Sequence, residues 1–213
     1  MSDAAFRMDR MYAWQTGIYD FTRKPYLLGR DTLIGSLAPP LGGNVLEIGC
    51  GTGRNLVQAA RRWPNAQFFG FDVSRAMLAK AEKSIADAGL GERVKLAQGD
   101  ANAFPNDLFP VPRFERVYFS YTLSMVPDWE RVLERSLACL APGGSLLIAD
   151  FGDQRDLPPA FKVVLKRWLS LFHVEPRVEL ESVLRDLAAR AGLRGDFVRL
   201  YRGYAFLAAL HRA

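Results

Sequence analysis

The stretch Val45-Leu-Glu-Ile-Gly-Cys-Gly-Thr-Gly53 decides the fold. Asn44 to Ile48 is a short apolar run closed by glycines, which predicts a buried strand. Arg54 to Trp63 then reads as a helix, stopped by Pro64 because proline lacks the amide a helix needs. Three glycines, Gly49, Gly51 and Gly53, join the two elements and let the backbone pass close to a ligand. Their spacing is not that of the dinucleotide fingerprint, whose third glycine falls one position later. NAD, which needs pyrophosphate at the helix N-terminus, is therefore disfavoured.

The pattern repeats downstream. Gln67 to Phe71 predicts a second strand, and Ser74 can cap a helix carrying Met77, Leu78, Ala81 and Ile85 on one face. Arg93–Gln98, Phe114–Phe119 and Ser145–Phe151 predict three further strands. Asp128 is expected to cap a helix bearing Val132, Leu133, Leu137 and Leu140, closed by Pro142-Gly143-Gly144. Strands alternating with helices imply a parallel sheet covered on both faces. Such sheets bind ligands beyond the carboxyl ends of their strands. Glu47–Gly53, Asp72, Asp100 and Ser120-Tyr121 all fall at those ends. Asp72 can accept from two ribose hydroxyls, and Asp100, or more weakly Asn102, from an adenine amine.

Composition narrows the function classes. The 213 residues are 49% hydrophobic and 24% charged, which excludes a mainly disordered chain. Cys50 and Cys139 are too few for a disulfide framework, and two histidines so far apart predict no metal site. Residues 1–10 lack the apolar core of a signal peptide, and no run approaches the roughly 20 apolar residues of a membrane span. A cytoplasmic protein is expected. The net charge of +5 permits an anionic partner. Without a basic cluster or separate module, nucleic acid is not expected to be that partner.

The ordered set Val45–Gly53, Phe71-Asp-Val-Ser-Arg-Ala-Met-Leu78, Gly99-Asp100 and Leu140-Ala-Pro-Gly-Gly-Ser-Leu-Leu-Ile148 resembles the class I S-adenosylmethionine-dependent methyltransferases. The resemblance implies a Rossmann-like α/β fold. Its mostly parallel sheet has seven strands, with helices on both faces and the last strand antiparallel. Gly195–Leu200 and Tyr204–Leu210 would supply the last two strands. It implies S-adenosylmethionine as methyl donor and S-adenosylhomocysteine as product. Glu47, Gly49, Gly51 and Gly53 would hold the methionine moiety and Asp72 the ribose. Met77 would lie against the adenine and Asp100 near its amine, Val73 and Ala101 would also contact the cofactor, and Ser120 would border the methyl group. No metal is required.

What surrounds that cofactor half should select the acceptor. Residues 1–43 are expected to form a helical lid and substrate segment over a cofactor-binding part spanning 44–213, the whole being a single domain. Met8, Met11, Tyr12, Gln15, Ile18, Tyr19 and Thr22 share one helical stripe. Tyr19 or Tyr26 could face the reacting centre, where a tyrosine ring attracts a cation. Phe161, Val164, Leu165, Trp168, Leu169 and Phe172 form a second stripe with Lys162, Lys166 and Arg167 beside it. It predicts either a helix packed on the sheet or a basic amphipathic helix at a lipid surface.

Tyr19-Asp20, Thr22-Arg23, Tyr26-Leu-Leu-Gly-Arg-Asp31, Phe172-His173-Val174, Pro176-Arg177 and Tyr204-Ala-Phe-Leu207 resemble the bacterial diacylglycerylhomoserine N-methyltransferases. This resemblance implies an amino-lipid acceptor and an anionic membrane surface as partner. The protein would sit peripherally on the inner membrane face. Phosphatidylethanolamine N-methyltransferases and quinone C-methyltransferases are the alternatives. Tyr19, Tyr121 and His173 are the candidate bases for the acceptor proton. Tyr26, Arg30 and Arg177 are the candidate substrate ligands, either arginine suiting a carboxylate.

Overall fold

β1 (Asn44–Ile48) runs through the middle of a seven-stranded sheet, hydrogen-bonded to β2 (Gln67–Asp72) on one side and β4 (Phe114–Ser120) on the other. The computed structural model describes residues 27–104, 107–170 and 174–213. Beside those strands lie β3 (Val94–Gln98), β5 (Leu140–Phe151), β6 (Arg194–Leu200) and β7 (Ala205–His211), in the order β3-β2-β1-β4-β5-β7-β6. Every pairing is parallel except those of β7, which runs antiparallel to both β5 and β6. This is the mixed sheet that the first resemblance implies.

The helices are α1 (Arg30–Ser36), α2 (Arg54–Arg62), α3 (Arg75–Asp87), α4 (Trp129–Ala138), α5 (Pro159–Ser170) and α6 (Leu180–Ala191). Successive strand residues point to opposite faces. Leu46 and Ile48 pack with α4 and α6 residues such as Leu133 and Leu184. Val45 packs on the other face with Leu37 of α1 and Leu56 of α2. By the same alternation Glu47 points toward α1 and α2. A third cluster, comprising Leu27, Tyr121, Phe151, Leu165, Leu169, Val174, Tyr204 and Ala205, lies over the strand ends and seats α5 there.

Three local expectations need correction. Ser74 does cap α3, accepting from the Met77 amide at 3.3 Å. Asp128 holds the cap position of α4 without a side-chain bond to it. Helix α4 ends at Ala138, and β5 begins at Leu140, not Ser145. The register against β4 shifts between Phe114 and Arg116, which absorbs Pro142-Gly143-Gly144 into the strand as an irregularity. Only Leu165 and Leu169 of the α5 stripe are buried, with Trp168 partly so. Phe161 and Val164 are exposed, 47% and 66%. Phe172 and the stripe of residues 8–22 lie outside the described residues.

Candidate active site

The strand order reverses between β1 and β4, and in an open parallel sheet that is where a crevice opens above the strand ends. The glycine turn after β1 forms one wall. The amides of Gly49 and Cys50 both donate to the Phe71 carbonyl at the end of β2, at 2.9 and 3.0 Å. Asp72, one residue further, accepts from the Gly51 amide at 2.9 Å and from the Ser74 amide at 2.9 Å. These two bonds fix the direction of its carboxylate. A carboxylate oxygen can accept more than one hydrogen bond, which suits a hydroxyl-bearing ligand.

Glu47 sits beneath this turn, 1% exposed. Its Oε1 accepts from Asn55 Nδ2 at 2.9 Å and its Oε2 from Tyr118 Oη at 2.9 Å. Burial pushes the carboxyl up to about 8, against the lowering effect of those two donors. Asp72 pushes the same way, and Arg30 opposes it. Asn55 and Tyr118 carry no sequence signal for this role. Asn55 is simply the second residue of α2, and Tyr118 is an apparently ordinary strand residue.

The remaining cofactor candidates fall along the same rim. Val73 and Met77 belong to the β2–α3 junction, with Met77 buried. Asp100 and Ala101 follow β3. Asp100 Oδ1 accepts from both the amide and the side-chain nitrogen of Asn102, at 2.9 and 3.0 Å, while Asn102 Oδ1 is buried and has no partner. Ser120 ends β4, and its Oγ is likewise buried without a partner. A buried polar atom without a bond is costly unless something else supplies one.

S-adenosylmethionine fits this donor and acceptor set. A Cβ added at Gly51 would meet nothing within 4 Å, so the turn leaves room above it. Asp72 supplies negative charge for a cationic ligand and suits a ribose diol, while Glu47, raised to about 8, would gain its charge only as a cationic ligand favours the ionised form. The orphaned Ser120 and Asn102 oxygens could accept from hydroxyl or amine groups.

On the acceptor side the structure separates the candidates. Tyr121 is buried, and its hydroxyl donates to the Leu28 carbonyl. Burial first, then the nearby Asp150 charge, push its phenol well above the ordinary tyrosine range. Such a group holds its proton near neutral pH. Arg30 is buried at the start of α1, with its Nε on the Leu27 carbonyl at 3.1 Å. Its charge reaches both Glu47 and Tyr121. Arg177 is spent elsewhere. Its Nε and Nη2 donate to the carbonyls of Leu123 and Val126, at 3.4 and 3.0 Å, and its Nη1 to Glu175 at 3.1 Å. Tyr19, Tyr26 and His173 lie outside the described residues.

One rim residue escaped the sequence reading. Asp150, near the end of β5, is 1% exposed and accepts from the amides of Phe151 at 2.8 Å and Ser124 at 3.2 Å. Burial raises its carboxyl to about 6. A carboxylate at the end of the apolar run Leu146–Phe151 was the available signal. Among the described residues no cluster of histidine, cysteine and carboxylate side chains could hold a metal ion.

The sequence matches the family described as "Methyltransferase domain" over residues 45–144. It is 32% identical to the ubiquinone/menaquinone biosynthesis C-methyltransferase UbiE of Desulfotalea psychrophila, over 94% of this chain and 82% of that protein. It is 32% identical to a phosphatidylethanolamine N-methyltransferase of Cereibacter sphaeroides, over 65% of this chain and 71% of that protein. An O-methyltransferase family protein from Burkholderia thailandensis superposes with a TM-score of 0.69 at 20% identity, covering 87% of this chain and 56% of that one. That last likeness concerns the fold. The glycine turn, the two rim carboxylates and these relatives together make the chain a member of the S-adenosylmethionine-dependent methyltransferases.

Proposed function

We propose that this methyltransferase acts on the amine of a lipid head group, with diacylglycerylhomoserine as acceptor and a trimethylated betaine lipid as product. The carrying observation is the exposed apolar surface of α5. Phe161, Val163 and Val164 are exposed there, 47%, 68% and 66%, beside Lys162, Lys166 and Arg167. The inward face places Leu165 and Leu169 in one cluster with Tyr121 and Phe151 at the rim. An apolar patch flanked by cations suits an anionic membrane surface. Its position would bring that surface close to the crevice, in keeping with a peripheral protein on the cytoplasmic membrane face. No helix among the described residues is long and apolar enough to cross a membrane. The phosphatidylethanolamine N-methyltransferase relative supports an amino-lipid acceptor.

The proposed assignments follow. Bound S-adenosylmethionine supplies a methyl group already activated on a sulfonium. Glu47, the Gly49–Gly53 turn and Asp72 hold and orient it, with Val73, Met77, Asp100, Ala101 and Ser120 completing the cradle. Arg30 takes the homoserine carboxylate, and Tyr26 lies against the substrate. Positioning then does most of the work. The acceptor proton passes to Tyr19, His173 or water. The lid expected of residues 1–43 falls mostly on residues 1–26, which lie outside the described residues. A second reading, methylation of a quinone ring carbon, is favoured by the UbiE relative matching 94% of the chain.

Labelled S-adenosylmethionine and vesicles that contain phosphatidylglycerol test the reading. Separate preparations carry diacylglycerylhomoserine, phosphatidylethanolamine or a demethylated quinone. The expected result is label in the homoserine lipid, with a mass gain of three methyl groups. Each cation near such a surface contributes about 1 kcal/mol. Replacing Lys162, Lys166 and Arg167 with Gln should therefore release the protein from these vesicles. Label in phosphatidylethanolamine or quinone alone overturns the acceptor, and a parent protein that never sediments with vesicles overturns the membrane role.

A further inference from the structure

The turn that follows β4 is held more firmly than its sequence suggests. Tyr121 begins it with φ 58°, a left-handed conformation that is strained for a bulky side chain. Leu123–Met125 then makes a single turn of 3-10 helix. The turn closes on two bonds of its own, from the Met125 amide to the Thr122 carbonyl at 3.0 Å and from the Val126 amide to the Leu123 carbonyl at 3.3 Å, and a turn this short leaves its other backbone groups to outside partners. Arg177 and Asp150 bind it from opposite sides. Arg177 donates to the Leu123 and Val126 carbonyls, and Asp150 Oδ2 accepts from the Ser124 amide. The Glu175 amide adds a bond to the Ser124 carbonyl at 2.9 Å.

We propose that Arg177 and Asp150 are positioning residues that grip the turn Tyr121–Val126 by its carbonyls and its amide respectively, and so fix the acceptor-side wall of the crevice.

Three observations support a dedicated role. The turn issues from β4 at the reversal of strand order, directly after the orphaned Ser120 oxygen, so its position shapes the crevice. A carboxylate buried as fully as Asp150 is costly wherever it sits, and it is held at the rim by amides of the turn and of its own neighbour. Arg177 belongs to the segment 174–178, which is tied at its other end to α5 through the Val174 amide on the Leu169 carbonyl at 3.2 Å. The helix proposed to meet the membrane is thereby connected, by a few bonds, to the wall of the site. Arginine suits the task because its planar fork reaches two carbonyls at once, whereas lysine offers a single point of charge. The inference rests on reading this crevice as the methyl-transfer site.

Amide hydrogen exchange tests the grip without any acceptor. The protein is saturated with S-adenosylhomocysteine, and exchange is followed in the peptides that cover 121–126 and 45–60. In Arg177→Met, Arg177→Lys and Asp150→Asn, the amides of Ser124, Met125 and Val126 should exchange at least tenfold faster, while 45–60 and the affinity for S-adenosylhomocysteine stay as in the parent. Combining Arg177→Met with Asp150→Asn should add less than the product of the two single effects, because both hold one turn. If Asp150→Asn does not fold, Arg177→Lys decides the matter alone. Unchanged exchange at 124–126, or equal acceleration at 45–60, overturns the proposal. A second arm measures single-turnover methyl transfer to diacylglycerylhomoserine vesicles, where a drop of at least tenfold in rate at unchanged cofactor affinity is expected. If the parent protein transfers no methyl group, the acceptor assignment fails while the exchange result still judges the grip.

Discussion

Tyr118 Oη donates to Glu47 Oε2 across 2.9 Å, and both side chains are closed off from solvent although 71 positions separate them in the chain. The bond crosses from β4 to β1, at the point where the strand order reverses. It makes a fully buried polar group of the site part of the sheet rather than of a loop. Burial also raises the tyrosine, and the adjoining Glu47 carboxyl adds to that rise. The pair therefore shares one proton-rich environment.

Glu47 should make both stability and cofactor binding depend on pH. Its carboxyl is raised from 4.5 to about 8. The folded chain thus keeps a proton that the unfolded chain releases. Stability from this group is full below pH 4.5, declines as pH rises toward about 8, and is level beyond that. Melting curves of Glu47→Gln should lack this decline. The groups facing Glu47 are Asn55, Tyr118, Asp72 and Arg30, and none of them replaces its negative charge at the turn except Asp72. A cationic ligand favours ionised Glu47, so S-adenosylmethionine should bind more tightly up to about pH 8 and release a proton. Calorimetry in two buffers of different ionisation enthalpy detects that proton. Loss of a hydrogen bond to a charged group predicts roughly 10- to 100-fold weaker binding in Glu47→Gln. Equal heats in both buffers would remove Glu47 from the cofactor site.

Asp72→Ala should abolish most of the rise in melting temperature that S-adenosylhomocysteine produces. Ligands of the folded state stabilise by mass action, so the rise reports affinity. The variant should also melt lower without ligand, by an amount equivalent to about 1–3 kcal/mol, because the Gly51 and Ser74 amides lose their acceptor. Asp72→Asn retains an acceptor and should recover part of that stability but little of the ligand effect. A full ligand response in Asp72→Ala contradicts the ribose assignment.

The glycine turn separates folding from binding. Gly51 and Gly53 both hold left-handed φ angles, 53° and 74°. A Cβ at Gly53 would lie 2.9 Å from the Cβ of Ala81, whereas one at Gly51 would meet nothing within 4 Å. Gly53→Ala should therefore destabilise by more than the roughly 1 kcal/mol typical of a left-handed alanine, since α2 must shift from α3. Gly51→Ala should cost only about that 1 kcal/mol and yet lose most of its affinity for S-adenosylhomocysteine, because the methyl group enters the cradle. Thermal unfolding with and without the ligand tells them apart. Equal stability losses with equal retained binding would mean that the turn does not cradle the cofactor.

Legibility followed sequence distance. Residues 44–78 could be read almost residue by residue. Glycine, proline and Ser74 act on their immediate neighbours, so strand, turn and helix are written locally. The outer elements showed the same clarity in type and less in extent, as with β5, whose first residues join the sheet only because Phe114 of β4 lies opposite Leu140. The contacts of Arg177 were hidden for a different reason. Its partners at Leu123 and Val126 are backbone carbonyls 54 and 51 positions away, and backbone groups leave no mark in a side-chain pattern. Tyr121 stood at the expected strand end. What its place in the sequence did not show was its burial and its bond to the Leu28 carbonyl, 93 positions away. The α5 stripe showed that periodicity identifies a helix without saying how much of its apolar face is covered.

The place of β7 also sets an order of events in time. The strand is clasped between β5 and β6, with Tyr201 and Arg202 in left-handed conformations just before it. Its pairing with β6 is local and can form early, whereas its seven pairs with β5, from Ser145↔His211 to Phe151↔Ala205, join distant parts of the chain and belong to a slower step. Until that step is complete, β5 presents an open edge, the kind of surface on which chains pair with one another. Phe206, the residue opposite Asp150, arrives only then. The sheet beside Asp150 is thus completed late, and a refolding chain should regain its strands before it regains its activity.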